Sequence, residues 1–118
     1  GEELLALRAM LDEVHIAPEI EAYILALVRE TRRRAVQPVD GLRMLAFGAS
    51  PRASLALYQA GRGLAMLRGE SYVSPAIVQE IAPDILRHRI GLSYEAEASG
   101  LTPDAIVADS LATIAVPS

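Results

Sequence analysis

At 118 residues the chain has the length of one domain, and it can bury roughly 65–70% of its unfolded surface without covalent staples. It contains no cysteine, which excludes disulfides and thiolate metal sites, and its net charge of −4 argues against a nucleic-acid backbone as the main partner. Hydrophobic residues make up 52% of the chain but aromatics only 4%, so the apolar mass is Ala, Leu, Ile and Val, which suits helix packing better than a β-sandwich. No apolar run approaches ~18 residues and no secretory leader pattern is seen, so no membrane span is expected and the expected setting is cytoplasmic. All eleven basic side chains are arginine. Without lysine there is no P-loop, whose lysine must reach the β- and γ-phosphates, and no Schiff-base chemistry.

In chain order, residues 2–13 read as a helix with Leu4, Leu7 and Leu11 on one stripe. Val14-His15-Ile16 is short and β-prone. Pro18 opens a second helix to about Arg33, with Ile20, Tyr23, Ile24, Leu27 and Val28 at i, i+3, i+4, i+7 and i+8. Arg32, Arg33 and Arg34 suit the negative end of its dipole and read as a solvated helix end, or as a contact for an acidic partner. Residues 35–49 hold Pro38 and two glycines and read as a loop, with a short turn at Leu42–Ala46. A third helix runs from Pro51 to about Arg68 and stops at Gly69. Its small residues Ala53, Ala56, Ala60, Gly61, Gly63 and Ala65 permit close backbone approach, so it is expected to be the central, most crowded helix. Ser74-Pro75 opens a fourth helix to about Ile81, Pro83 begins another turn ending near Arg87, and His88–Ser93 alternates weakly, as a strand would. Thr102-Pro103-Asp104 caps a last helix to about Ile114, with Ile106, Val107, Leu111 and Ile114 inward. The expected class is all-α, mainly helical, with room for one very small β pairing. No internal repeat appears.

Gly48-Ala49-Ser50-Pro51-Arg52 is the stretch most suggestive of chemistry. Ser50 is placed to cap a free backbone N–H and Pro51 to occupy the first helical position. Arg52 then puts a cation in the first turn, where the dipole is already positive, at a cost of roughly 0.3–1 kcal/mol unless something compensates. At the other X-Pro starts an acid or a neutral residue follows: Glu19 after Pro18, Ala76 after Pro75, Asp84 after Pro83 and Asp104 after Pro103. A helix N-terminus plus arginine is an anion site, and phosphate is the usual anion. The competing reading is an exposed arginine that swings to solvent.

Other constellations are weaker. Met10-Leu11-Asp12-Glu13 mimics the end of a Walker B strand, but Arg8 interrupts the run, the period is helical and no P-loop accompanies it. His15 and His88 have no metal-ligand spacing around them, so no metal site is expected. In an extended segment Arg87 and Arg89 would share one face, with His88 on the other, as a charged interface or a solvated edge. Glu95 and Glu97 form an acidic pair without a partner base. No nucleophile, base and oxyanion hole assemble, so the chain alone is not expected to be an enzyme.

Several blocks taken together are more specific. Gly48–Ala53, Leu64–Gly69, Tyr72–Pro75, Ala82–Ile90 and Leu92–Glu97 resemble, in order and with similar spacing, the C-terminal lid of MoxR-type AAA+ ATPases. The resemblance covers nearly the whole chain. It implies that residues 1–118 form a single helical lid-type bundle, the C-terminal piece of a protein of about 300 residues, given roughly 100–200 residues per domain. The nucleotide-binding core would lie outside it and supply Walker A, Walker B, sensor 1, the arginine finger and Mg2+. Gly1 reads as a cloning remnant. Arg52 falls on the sensor 2 position, aimed at the γ-phosphate of ATP, with Ser50 beside it as a second nucleotide-binding residue. The parent protein would hydrolyse ATP and the isolated piece would not. The implied partners are its own nucleotide-binding domain, neighbouring subunits of a homo-oligomeric ring, usually a hexamer, and von Willebrand factor A-domain proteins, in chaperone-like work. A stand-alone helical interaction module, with Arg52 on a partner's carboxylate, is the alternative. A helix-turn-helix nucleic-acid binder is disfavoured by the acidic charge and by the few base-reading side chains on residues 53–67.

Overall fold

A computed structural model describes residues 2–6, 13–38 and 43–117. Residues 2–6 are helical (α1). There follow α2 (Pro18–Val36), β1 (Leu45–Phe47), α3 (Arg52–Leu67), α4 (Pro75–Leu86), β2 (Gly91–Leu92), α5 (Tyr94–Ala98) and α6 (Pro103–Thr113). The class is the expected one, helical with one tiny sheet. The molecule is a slab of 52 × 34 × 20 Å, and its thin dimension matches two helices of ~10 Å laid one on the other.

Helix α2 forms because every local signal agrees. Proline opens it, Glu19 and Glu21 sit at the positive end of the dipole, and Arg33 and Arg34 sit at the negative end. Its whole predicted stripe is buried, Ile24 and Leu27 completely. It runs three residues past the expected end, to Val36, with Pro38 just beyond. It packs against β1, α3, α4 and α6, so α2 rather than α3 is the central helix. The small residues of α3 divide into two sets: Ala53, Gly61 and Ala65 are buried, whereas Ala56, Ala60 and Gly63 are partly exposed. At Gly61 a Cβ would meet Val73 Cγ1 at 3.3 Å and Ile81 Cδ1 at 3.6 Å, so this is the point of close approach. Gly69 takes a left-handed φ of 71° and ends the helix, as its position predicts.

Among the described residues two long-range backbone pairings close the fold. His15 bridges Tyr72 in parallel: its N–H donates to Ser71 O and its carbonyl accepts from Val73 N, both at 2.9 Å. Strands β1 and β2 pair antiparallel, with Leu45 opposite Leu92 and Phe47 opposite Gly91. The expected turn at Leu42–Ala46 is therefore a strand from Leu45 onward, and residues 39–42 lie outside the described residues. β1 carries one fully buried side chain, Leu45, too little alternation to announce a strand. Its partner arrives far along the chain, where a Cβ on Gly91 would fall inside the Phe47 ring.

Three further expectations need correction. α4 does not stop at Ile81 but runs through Pro83 to Leu86. Proline removes the N–H that would have met the carbonyl four residues back and its ring crowds that carbonyl, and burial of Ala82 and Leu86 on the same stripe as Val78 offsets the cost. Arg87–Arg89 is a turn rather than part of a strand, with Arg87 paired to Asp84 and Asp104. In α1, Leu4 is 55% exposed and so does not face inward. Leu7 and Leu11, like residues 10–12 of the Walker B mimic, lie outside the described residues. The caps on α4 and α6 form as read: Ser74 Oγ accepts from Ile77 N at 3.2 Å and Thr102 Oγ1 from Ala105 N at 3.1 Å.

Candidate functional site

The start of α3 is set by the segment before it. The backbone of Gly48 lies directly on the backbone of α2, where a Cβ would come within 2.5 Å of Arg32 Cα and 2.6 Å of the Thr31 carbonyl carbon. Ala49 is fully buried, and its N–H donates to Thr31 Oγ1 at 3.0 Å. The Thr31 hydroxyl donates in turn to Val28 O at 2.7 Å. Pro51 follows with φ −56° and ψ −24°, already helical.

The expected Ser50 cap is not made. Ser50 is exposed, and among the described residues no side chain caps α3. Ala53 N donates instead to Ser50 O at 2.9 Å and Ser54 N to Pro51 O at 3.1 Å, a tight first turn that uses carbonyls where a hydroxyl would have served. Arg52 is exposed and makes no hydrogen bond or ion pair with the described residues. The comparison with other proline-led starts narrows to three, because Pro83 is inside a helix. α2 has acids in its first turn, α4 has the Ser74 cap, and α6 has both Thr102 and Asp104. α3 has neither cap nor acid, and it carries a cation.

Beside this start, a cleft of about 290 Å³ between α2 and α3 is lined by Pro51, Ser54, Leu55 and Tyr58 from one side and by Leu25, Val28, Arg29 and Arg32 from the other. Ser54 is buried and its Oγ has no partner among the described residues. Burial, with the Glu21 carboxylate nearby, pushes the Tyr58 hydroxyl up, so it stays a neutral donor at physiological pH. The cleft therefore carries two cations, Arg29 and Arg32, on an otherwise mostly apolar wall, with the Glu21 carboxylate near Tyr58. Sequence reasoning missed Thr31, which bonds Ala49, and Arg29 and Arg32, which share the cleft with Pro51 at the start of α3. Only the packing of α2 on α3 brings them there.

The remaining candidates do not gather around this place. Arg34 is buried and bonded to Glu30, Asp109 and Thr113, while Arg33 is held by Glu30 and Gln37, so the triplet is not a uniformly solvated end. The Arg33 guanidinium, with help from Arg34, holds the Glu30 carboxyl below the usual range in spite of its burial. His15 and His88 are both exposed. Among the described residues no group of three or more acids and histidines could hold a metal ion. Glu95 and Glu97 lie in the first turn of α5 behind the Ser93 cap. A larger groove of about 530 Å³ lies beside the His15–Tyr72 bridge and shares no residue with the α3 start.

The sequence model of the AAA lid domain matches residues 43–110, a stretch that begins just before β1 and takes in the whole Gly48–Arg52 segment. The chain belongs to the AAA lid domain family. This lid is similar to chaperone MoxR1 of Mycobacterium tuberculosis, with 42% identity over 96 residues, 80% of this chain and 26% of that protein. It is similar to protein MoxR of Paracoccus denitrificans, with 32% identity over 111 residues, 88% of this chain and 32% of that protein. A crystal structure of a candidate ATPase from Cytophaga hutchinsonii superposes with a TM-score of 0.87 at 34% identity, covering 99% of this chain and 36% of that one. The MoxR-type recognition made from the sequence blocks therefore stands. The lid spans about a quarter to a third of the length of these relatives. No helix among the described residues is long and apolar enough to cross a membrane.

Proposed function

We propose that this lid completes the nucleotide site of an ATPase whose nucleotide-binding domain lies elsewhere in a longer protein, with Arg52 as sensor 2 directed at the γ-phosphate and Ser50 as a second contact. The observation that carries the reading is the α3 start itself, uncapped, without an acid in its first turn, and bearing an arginine that no described residue holds. A cation left unpaired at the positive end of a dipole is unfavourable until an anion arrives. Arg29 and Arg32 line the adjoining cleft and fit the same charge. In this reading Mg2+ would be held by the other domain. ATP supplies the transferable phosphoryl group. What this chain contributes is a rigid body that carries one cation toward or away from a phosphate as a hinge moves. In the same reading the lid's other faces meet neighbouring subunits of a homo-oligomeric ring, likened to the hexamers of the family, and the assembly does chaperone-like work in the cytoplasm with von Willebrand factor A-domain proteins.

The test is Arg52→Ala in the full-length protein. ATP turnover is expected to fall at least about tenfold, because a charged contact to a group on which charge migrates is worth ~2–4 kcal/mol in the transition state. ADP affinity should hardly change, since ADP lacks that phosphate. If the arginine serves a neighbour's site, mixed mutant and wild-type rings should lose turnover in a way that depends on their composition. Unchanged turnover with the ring intact would overturn the assignment.

A further inference from the structure

Arg52 has no partner of its own among the described residues, so its place is set by whatever fixes the backbone behind it. Two contacts do that, and both are made by one turn of α2. The first is steric: Gly48 lies so close to Arg32 Cα and the Thr31 carbonyl carbon that no side chain fits between them. The second is polar and specific. Thr31 is fully buried, its hydroxyl proton is committed to Val28 O at 2.7 Å, and a lone pair is therefore turned to receive the Ala49 N–H at 3.0 Å. Between Ala49 and Arg52 stand only Ser50 and Pro51, and the proline ring fixes one of the remaining torsions.

We infer that Thr31 is the positioning residue for Arg52, holding the Gly48–Pro51 segment so that the arginine is delivered to one place relative to α2. The inference rests on the sensor reading above. The hydroxyl is not needed for α2 itself. Valine has the same shape and nearly the same helix propensity, and the bond to Val28 O is internal to the helix. What the hydroxyl adds is a link to a segment 18 residues away in sequence, and that link ends three residues from the cation. Being uncharged, it keeps its geometry across the pH range in which ATPases work.

The experiment uses the full-length protein and three variants, Thr31→Val, Thr31→Ser and Arg52→Ala, together with the Thr31→Val/Arg52→Ala pair. Hydrogen exchange by mass spectrometry follows the peptide covering residues 45–55. In Thr31→Val this peptide is expected to exchange at least about tenfold faster while peptides of α4 and α6 keep their protection, since a local opening need not lower global stability. ATP turnover should fall by roughly tenfold or more, with KM changing less, as expected of a misplaced transition-state contact. Thr31→Ser, which keeps the hydroxyl, should restore both. In the Arg52→Ala background Thr31→Val should cost nothing further, because it acts through the arginine. Equal loss of protection across all peptides, or an additive loss of turnover in the double variant, overturns the positioning role. Full turnover in Thr31→Val beside a tenfold loss in Arg52→Ala overturns it as well and leaves the sensor reading standing. Full turnover in Arg52→Ala removes that reading, and the functional half of this inference with it.

Discussion

Of the three consecutive arginines near the end of α2, Arg34 alone is buried, and its guanidinium is shared among Glu30 at 2.9 Å, Asp109 at 2.6 Å and Thr113 at 3.1 Å. It ties the last helix to the central one. Glu30→Gln would leave this buried cation one charged partner short, which costs about 1–3 kcal/mol at neutral pH and lowers the melting temperature by roughly 4–8 °C for each kcal/mol in a domain of this size. The Glu30 carboxyl is held below its ordinary value in the folded state, chiefly by its hydrogen bond with Arg33. Its contribution is therefore complete above the unfolded carboxylate pKa of ~4.3 and disappears as pH falls through the lower folded value. Melting curves taken from pH 7 down to pH 2 should show this decline in the parent chain and a flatter acid limb in Glu30→Gln. An equal acid slope in both would assign the decline to other carboxylates. Gly48→Ala makes a second residue-scale prediction. The added methyl meets helix backbone, which cannot rotate away, so a loss of ~1–3 kcal/mol is expected in chemical denaturation. The sequence marks Gly48 only as part of a resembling block. Nothing near it in sequence says that α2 lies 2.5 Å from where its Cβ would be.

At the scale of elements, α3 holds a contrast within two positions. A Cβ at Gly61 is already in close contact with Val73 and Ile81, whereas one at Gly63 meets nothing within 4 Å. Gly61→Leu should therefore destabilise by ~1–3 kcal/mol through overpacking, and Gly63→Ala should stabilise by ~0.4–1 kcal/mol through the unfolded state. Ala60 is partly exposed, so Ala60→Leu should be milder than Gly61→Leu, although spacing alone makes Ala60 look as crowded as its neighbour. Thermal melts of the three variants decide the order, and a stable Gly61→Leu would show that α3 and α4 can part without cost. Where local pattern and tertiary packing agree, as in the α2 stripe and the Ser74 and Thr102 caps, the elements were legible in the sequence. They were not legible where a distant partner decides. β1 exists because β2 returns to it, and α4 passes Pro83 because Ala82 and Leu86 have a core to enter. The candidate site divides in the same way. The start of α3 and its arginine could be read locally, but Ser50 does not cap, and Thr31, Arg29 and Arg32 enter only through packing.

For the whole molecule, the β1–β2 pair joins the residues just before α3 to those just after α4, so the α3–α4 hairpin is closed at its base. The His15–Tyr72 bridge ties the start of α2 to the link between α3 and α4. With these closures and a core that includes Leu27, Leu45, Leu57, Leu86 and Val107, the chain is expected to fold by itself and to give a helical circular dichroism spectrum with one cooperative melt. A spectrum dominated by strand would contradict this. The same purified chain should release no phosphate from ATP above background, since without lysine it has no P-loop. Sustained release from contaminant-free material would mean a catalytic centre of another kind.

The contact of Gly48 on the backbone of α2 also limits how the motif can be transplanted. Gly-Ala-Ser-Pro-Arg looks self-contained, five residues that a designer could splice onto any helix to present an arginine. Here the glycine is required by another helix, and the alanine N–H is satisfied by a threonine of that helix. Grafted alone, the five residues would keep their spelling and lose their aim. A working transplant has to bring the Val28–Arg32 turn with it, at the same separation, so the unit of exchange between lids is a pair of helices rather than a loop.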